Sequence, residues 1–152
     1  MRNFLDGGTN GPLPGGAGVS NPIEPGARAP RRQLITVDLG EQPYAWLTTR
    51  GRRSGLPRTV ELWFILDGQT VYFLAGGGER AQWVRNATAD PNVTVRLGSY
   101  DYPGLARTPP RGSAEESMAR RSIAAKYQGW HEGRPLSSWA ARSLCLAVDL
   151  AD

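Results

Sequence analysis

From about residue 34 onward, apolar and polar positions alternate in short runs that predict strands. Tyr44–Arg50 reads as a first strand, rich in aromatic, Thr and Leu residues. Arg58–Leu66 is the clearest run: Val60, Leu62, Phe64 and Leu66 share one face, and Thr59, Glu61 and Trp63 alternate with them. Asp67-Gly68 marks a hairpin turn into Thr70–Ala75. Asn92–Leu97 points Val93, Val95 and Leu97 inward, and Leu144–Leu150 alternates in the same way. A weaker strand spans Tyr100–Thr108, where Pro103 argues for an edge position.

Two helices interrupt the strands. Arg80–Ala89 carries Trp83, Val84 and Ala87 on one face, and Pro91 ends it. Ser113 and Glu116 have capping-box spacing and open a helix to about Gln128. Ala119, Ile123 and Tyr127 line one face of it, and Gly129 supplies the stop. About six mostly antiparallel strands with two helices, and no βαβ rhythm, predict an α+β fold: a small barrel with helical cover. Trp63 and Ile65 lie opposite the Val60–Leu66 stripe, so both sheet faces are expected to be covered, by a helix, the N-terminal tail or a second subunit.

Composition sets the boundaries. The 152 residues suit one domain. Residues 1–33 are rich in Gly and Pro and are read as a flexible tail, leaving 34–152 as the folded unit. No apolar run is long enough to cross a membrane, and the N-terminus lacks a secretory pattern, so a cytoplasmic protein is expected. Cys145 is the only cysteine and His131 has no partner at ligand spacing, so no metal site is expected. The Asn-x-Thr matches at Asn86 and Asn92 would matter only in a secreted protein.

Charge adds one clue. Lys126 is the only lysine among eighteen basic residues, and the net charge is +4. Arginine forks suit phosphate and carboxylate, although biased codon usage gives the same surplus. Clustering is the stronger sign: Arg50, Arg52, Arg53 and Arg58 crowd the stretch TTRGRRSGLPR (48–58) beside Ser54 and two glycines. Glycine backbone and arginine forks together make a phosphate cradle, and a solvated basic turn would have the same composition. A second glycine run, Gly76, Gly77 and Gly78, opens the helix bearing Trp83 and leaves free backbone N–H groups there. It does not form a dinucleotide fingerprint.

TTRGRRSGLPR, the strand and DG turn after it, and WVRNATADPNVTV (83–95) together resemble the deazaflavin-dependent nitroreductase family. AAKYQGW (124–130) is similar to the C-terminal helix of one branch. The resemblance spans about 44–150 and implies the split β-barrel fold of pyridoxamine-phosphate oxidases. It also implies coenzyme F-420, or else FMN, as cofactor for a hydride transfer to a quinone, nitroaromatic or enone. It assigns the cofactor phosphate to Arg52, Arg53, Ser54 and Arg58, and the ring to the backbone near Val60 and Glu61. Gly76, Gly77, Gly78 and Trp83 would complete the groove. Better-known members carry Ser and often Lys near Ala75, Gly76 and Gly77, and some carry Pro at Glu61.

Glu61 could deliver a proton if burial raised its pKa, or could simply face solvent or an arginine. Tyr127 has the pattern of a buried, hydrogen-bonded tyrosine, and the resemblance adds a proton-donor or substrate role. The expected partner is a small molecule, with no nucleic acid and no membrane span, on a monomer or homodimer. A non-catalytic cofactor-binding module is the other reading, distinguished by binding without turnover.

Overall fold

The computed structural model describes residues 4–5, 8–9, 27–28 and 37–151, so the tail expectation falls mostly outside the described residues. A short helix, α1 (Val37–Gly40), precedes β1 (Ala45–Arg50), β2 (Pro57–Leu62), β3 (Ile65–Asp67) and β4 (Thr70–Ala75). A 3-10 turn (Gly78–Arg80), α2 (Gln82–Ala89), β5 (Asn92–Leu97) and β6 (Tyr100–Arg107) follow. The chain closes with α3 (Ala114–Gln128), α4 (Ser138–Arg142) and β7 (Leu144–Leu150).

The seven strands form one sheet in the order β2-β1-β5-β6-β7-β4-β3, and Ala27–Arg28 pairs in parallel with Tyr100–Asp101. The two ends of that order, β2 and β3, are consecutive in the chain and separated only by Trp63 and Phe64. The sheet must therefore curl until its first and last strands nearly meet, which is the split barrel. Leu47, Phe64, Val71, Phe73, Val95, Leu97, Leu146 and Val148 fill the interior. The predicted continuous strand 58–66 is corrected here. Its alternation breaks where Phe64 and Ile65 are both buried, because the chain leaves one end of the sheet and joins the other.

Phe64 has no ladder partner at that seam, and its backbone groups are satisfied by α3 instead. Its N–H donates to the Tyr127 hydroxyl (3.2 Å), which itself donates to the Pro43 carbonyl (2.8 Å). Its carbonyl accepts from Lys126 Nζ (3.2 Å), which also donates to the carbonyls of Gly40 (3.0 Å) and Gln42 (2.8 Å). The ammonium lies 3.8 Å from the Phe64 ring centroid. Burial pushes the lysine pKa down to about 8, against a smaller opposing pull from Glu41.

A second cluster covers the outside of β3, β4 and β7. Ala119, Ile123 and Ala124 of α3 and Ala140 of α4 pack on Ile65, Tyr72, Leu74, Cys145 and Ala147. Both faces of β4 and β7 are thus buried, and a helix supplies the expected cover. The Ser113 hydroxyl caps α3 at the Glu116 N–H (3.1 Å), and Gly129 ends it with φ 68. Pro103 is also corrected: β6 runs inside the sheet, between β5 and β7. The proline is tolerated because β7 pairs only from Gly104 onward, while the Pro103 carbonyl still accepts from Ala151 (2.8 Å). At Gly104 a Cβ would meet Val148 Cγ1 at 2.6 Å, so only glycine lets β6 and β7 approach there.

On the outer rim Arg107 forks onto Glu115 (3.0 and 2.7 Å) and Asp149 (2.6 and 3.1 Å). Its hydrogen bonds are the main reason both carboxyl pKa values are lowered. The resulting stabilisation is complete above the ordinary carboxylate range and is lost as pH falls through the lowered native values. We therefore expect the stability gap between wild type and Arg107→Gln to be flat above about pH 5 and to close below about pH 4. Urea titrations across that range check it.

Candidate functional site

Residues 51–56 make a tight loop between β1 and β2. Gly51 donates to the Leu56 carbonyl and accepts from the Gly55 N–H, both at 2.8 Å, and Gly55 adopts φ 74. Ser54 Oγ accepts from the Leu56 N–H (3.1 Å), and the Arg58 guanidinium reaches it at 3.4 Å. A Cβ on Gly51 would approach Ser54 Oγ to 2.6 Å, so the glycine keeps the turn closed.

The loop is tied to α2 through Asn86. This side chain is 4% exposed, and its Oδ1 accepts from the Arg52 backbone N–H (3.2 Å) and from Arg52 Nη1 (2.9 Å). Between loop and helix lies a cavity of about 390 Å³, lined by residues 51–54, 57–60, Gln82, Trp83 and Asn86. It runs along β2, which among the described residues pairs only with β1, so one side is the outer edge of the described sheet. Trp83 closes the inner side with its ring edge-on to Phe73, centroids 6.2 Å apart. Among the described residues the lining carries arginine, hydroxyl and amide groups and no carboxylate. That is a donor set for an anion.

The structure thus brings Arg52, Arg53, Ser54, Arg58, Val60 and Trp83 around one cavity. Gly76, Gly77 and Gly78 are not among its walls; they lead through the 3-10 turn to α2. The predicted start of that helix at Arg80 moves to Gln82 because the glycines and the turn take up 76–80. Glu61 lies on the outer sheet face opposite Trp46, and Tyr127 lies at the seam with its hydroxyl between Pro43 and Phe64. Burial raises the Tyr127 pKa well above its ordinary value. Tyr127 also stacks on Trp63, with ring centroids 4.5 Å apart and planes 5° from parallel. Cys145 is buried, and burial pushes its thiol up to about 12.

Asn86 and Gln82 are not among the site residues expected from the sequence, where Asn86 stands out only as a glycosylation match. The signal is the spacing: Gln82 and Asn86 share a helical face at i and i+4, with Trp83 beside them. A buried amide next to Val84 and Ala87 needs partners, and here the arginine loop supplies one.

Fold and comparisons define a split-barrel oxidoreductase. An F-420 reductase aligns with 75% of this chain and 91% of its own at TM-score 0.55 and 23% identity. An F-420-H2-dependent reductase aligns over 70% and 94%, with TM-score 0.54 and 22% identity. A Listeria innocua protein assigned as a pyridoxamine 5′-phosphate oxidase aligns over 76% and 90%, at 0.56 and 18%. The family model for F420H(2)-dependent quinone reductase matches residues 30–149, and the chain belongs to that family. It is an oxidoreductase whose cofactor is the reduced deazaflavin F-420. Among the described residues no helix is long and apolar enough to cross a membrane, and no cluster of His, Cys, Asp and Glu could hold a metal.

Proposed function

We propose that the cavity between the 51–58 loop and α2 holds the phosphate-bearing part of F-420, and that the enzyme reduces a small conjugated acceptor such as a quinone, nitroaromatic or enone. The observation that carries this is the cationic lining: three arginines stand with two hydroxyls and two amides, and no carboxylate is among the described residues that line the cavity. Arg53 and Arg58 supply charge-assisted donors to the phosphate, and Ser54 and the loop glycines shape the turn that presents them. Asn86 spends its oxygen on Arg52, so the group it can offer the cavity is its amide N–H2. The edge of β2 from Pro57 to Val60 gives the ring a straight wall, and Val60 and Trp83 keep that wall apolar. When bound and reduced, the deazaflavin supplies a hydride; the chain's part is anchoring, orientation and exclusion of water.

Asn86→Asp separates the site from the scaffold. The carboxylate still accepts from Arg52, so stability should hold within about 1 kcal/mol. Its charge would face the phosphate, so F-420 affinity should fall at least about tenfold. Urea unfolding and fluorescence titration of the same samples measure the two effects. Unchanged affinity would remove the phosphate from this cavity. Turnover is checked by mixing reduced F-420 with menadione or a nitroaromatic: loss of reduced cofactor in step with acceptor supports the reading, and binding without turnover supports a carrier.

A further inference from the structure

The arginines of the 48–58 stretch do not share one fate. Arg50 pairs with Asp90 at the C-terminal end of α2 (3.4 Å). Arg58 reaches the Ser54 hydroxyl (3.4 Å), and among the described residues Arg53 makes no hydrogen bond or ion pair. Arg52 turns both its backbone N–H (3.2 Å) and its Nη1 (2.9 Å) onto a single acceptor, Asn86 Oδ1.

Two donors on one side of an amide define that side as its oxygen, so the N–H2 group of Asn86 is turned the other way. That group has no acceptor among the described residues and is not sealed from solvent, although the residue as a whole is 4% exposed. The opening that Asn86 borders is the cavity, with Arg52 in the same wall. The helix holds the residue from behind: Ala87 is buried beside it, and the Asn86 carbonyl accepts from the Asp90 N–H (2.9 Å). With the backbone fixed, the amide keeps only rotation about its own side-chain bonds, and the two bonds from Arg52 remove it.

We infer that Arg52 is a positioning residue rather than a phosphate ligand: it locks the Asn86 amide with its N–H2 toward the cavity, where an oxygen of the F-420 phosphate accepts from it. This rests on the cofactor placement proposed above. The family resemblance places Arg52 on the phosphate together with Arg53 and Arg58; here its fork is spent on Asn86, and the other two carry the charge contact. An amide already oriented loses no rotational freedom when the cofactor binds, whereas a free one must be ordered at that moment. A rotated amide would also turn its oxygen toward the phosphate, replacing a hydrogen bond by repulsion.

The test uses the full chain with oxidised F-420. Arg52→Met removes the side-chain donor and keeps the backbone bond to Asn86. Melting temperature and hydrogen exchange of the Gly55 and Leu56 amides, both bonded within the loop, should therefore stay close to wild type. F-420 affinity should fall about tenfold. The loss should persist at high salt, because orientation is not screened. In an Asn86→Ala background the same substitution should cost less than about twofold, since the amide it positions is gone. By NMR the Asn86 side-chain N–H2 pair, identified by its disappearance in Asn86→Asp, should shift or broaden in Arg52→Met before any F-420 is added. An equal loss in both backgrounds, or one that vanishes at high salt, would make Arg52 a direct phosphate contact and overturn the inference. Wild-type affinity, an unmoved amide signal, or faster exchange at Gly55 and Leu56 would overturn it too, leaving Arg52 as a loop tie. If Asn86→Ala does not fold, the salt series and the amide signal decide. Failure of the cofactor placement itself shows elsewhere, as F-420 affinity insensitive to Asn86→Asp.

Discussion

Replacing Arg53 and Arg58 together by alanine should weaken F-420 binding about a hundredfold and flatten its dependence on salt. Both side chains are exposed at the lip of the cavity, so each is assigned about 1.4 kcal/mol, the low end for a hydrogen bond to a charged group. The salt dependence follows because added ions screen the attraction between these guanidinium groups and the cofactor phosphate. With both gone, the remaining donors are mostly neutral and respond little to salt. Arg121→Ala is the control: it is exposed on α3, outside the cavity lining, and should leave affinity unchanged. Titrations at two salt concentrations measure both effects. Equal affinity for the double variant and wild type would place the phosphate elsewhere.

Phe64→Ala should cost about 3–5 kcal/mol of stability, among the largest single losses available to this chain. The side chain is fully buried in the main core, at the seam where β2 and β3 have no ladder between them. Removing it leaves a cavity under the seam and takes away the ring beneath the Lys126 ammonium. Tyr127 and Lys126 still find the backbone N–H and carbonyl of residue 64, so the fold should survive with a lower midpoint in urea. Tyr127→Phe should lose less, about 1–3 kcal/mol, because the residue 64 N–H and the Pro43 carbonyl each lose one partner. A loss below about 1 kcal/mol for Phe64→Ala would mean that the seam does not hold the barrel together.

Local patterns were legible wherever one rule acted alone. Asn92–Leu97 and Leu144–Leu150 have their predicted bounds, because alternation and flanking breakers agree there. The start and stop of α3 were readable from Ser113, Glu116 and Gly129 for the same reason. What failed depended on the partner rather than on the strand. The period-two pattern of 58–66 continues through Trp63 and Phe64 without showing that the chain changes sheet ends there. Pro103 was read as an edge residue because the staggered start of β7 cannot be seen in sequence. α4 is five residues long, too short for a helical period to register.

The candidate site divides in the same way. The arginine loop was visible as a cluster, and the cavity gathers most of it with Val60 and Trp83. For Asn86 the helical spacing from Gln82 is legible, but its partner is not, since that partner is a loop 34 positions away. The glycine run looked like a phosphate loop by composition, yet its first residue packs against the Trp139 indole. Glu61 and Tyr127 are the candidates that proton chemistry suggests. Glu61 takes the outer sheet face, and Tyr127 has its hydroxyl engaged by two backbone groups.

The central claim is that this barrel anchors a deazaflavin through the cavity beside Arg53 and Arg58. It is tested most directly by titrating the purified apo-protein with F-420 and with FMN in parallel, following quenching of the tryptophans that include Trp83 at the cavity wall. Saturable quenching at lower concentration with F-420 than with FMN, lost in the Arg53→Ala/Arg58→Ala protein, is the predicted result. Tighter binding of FMN, or binding of neither, would contradict it.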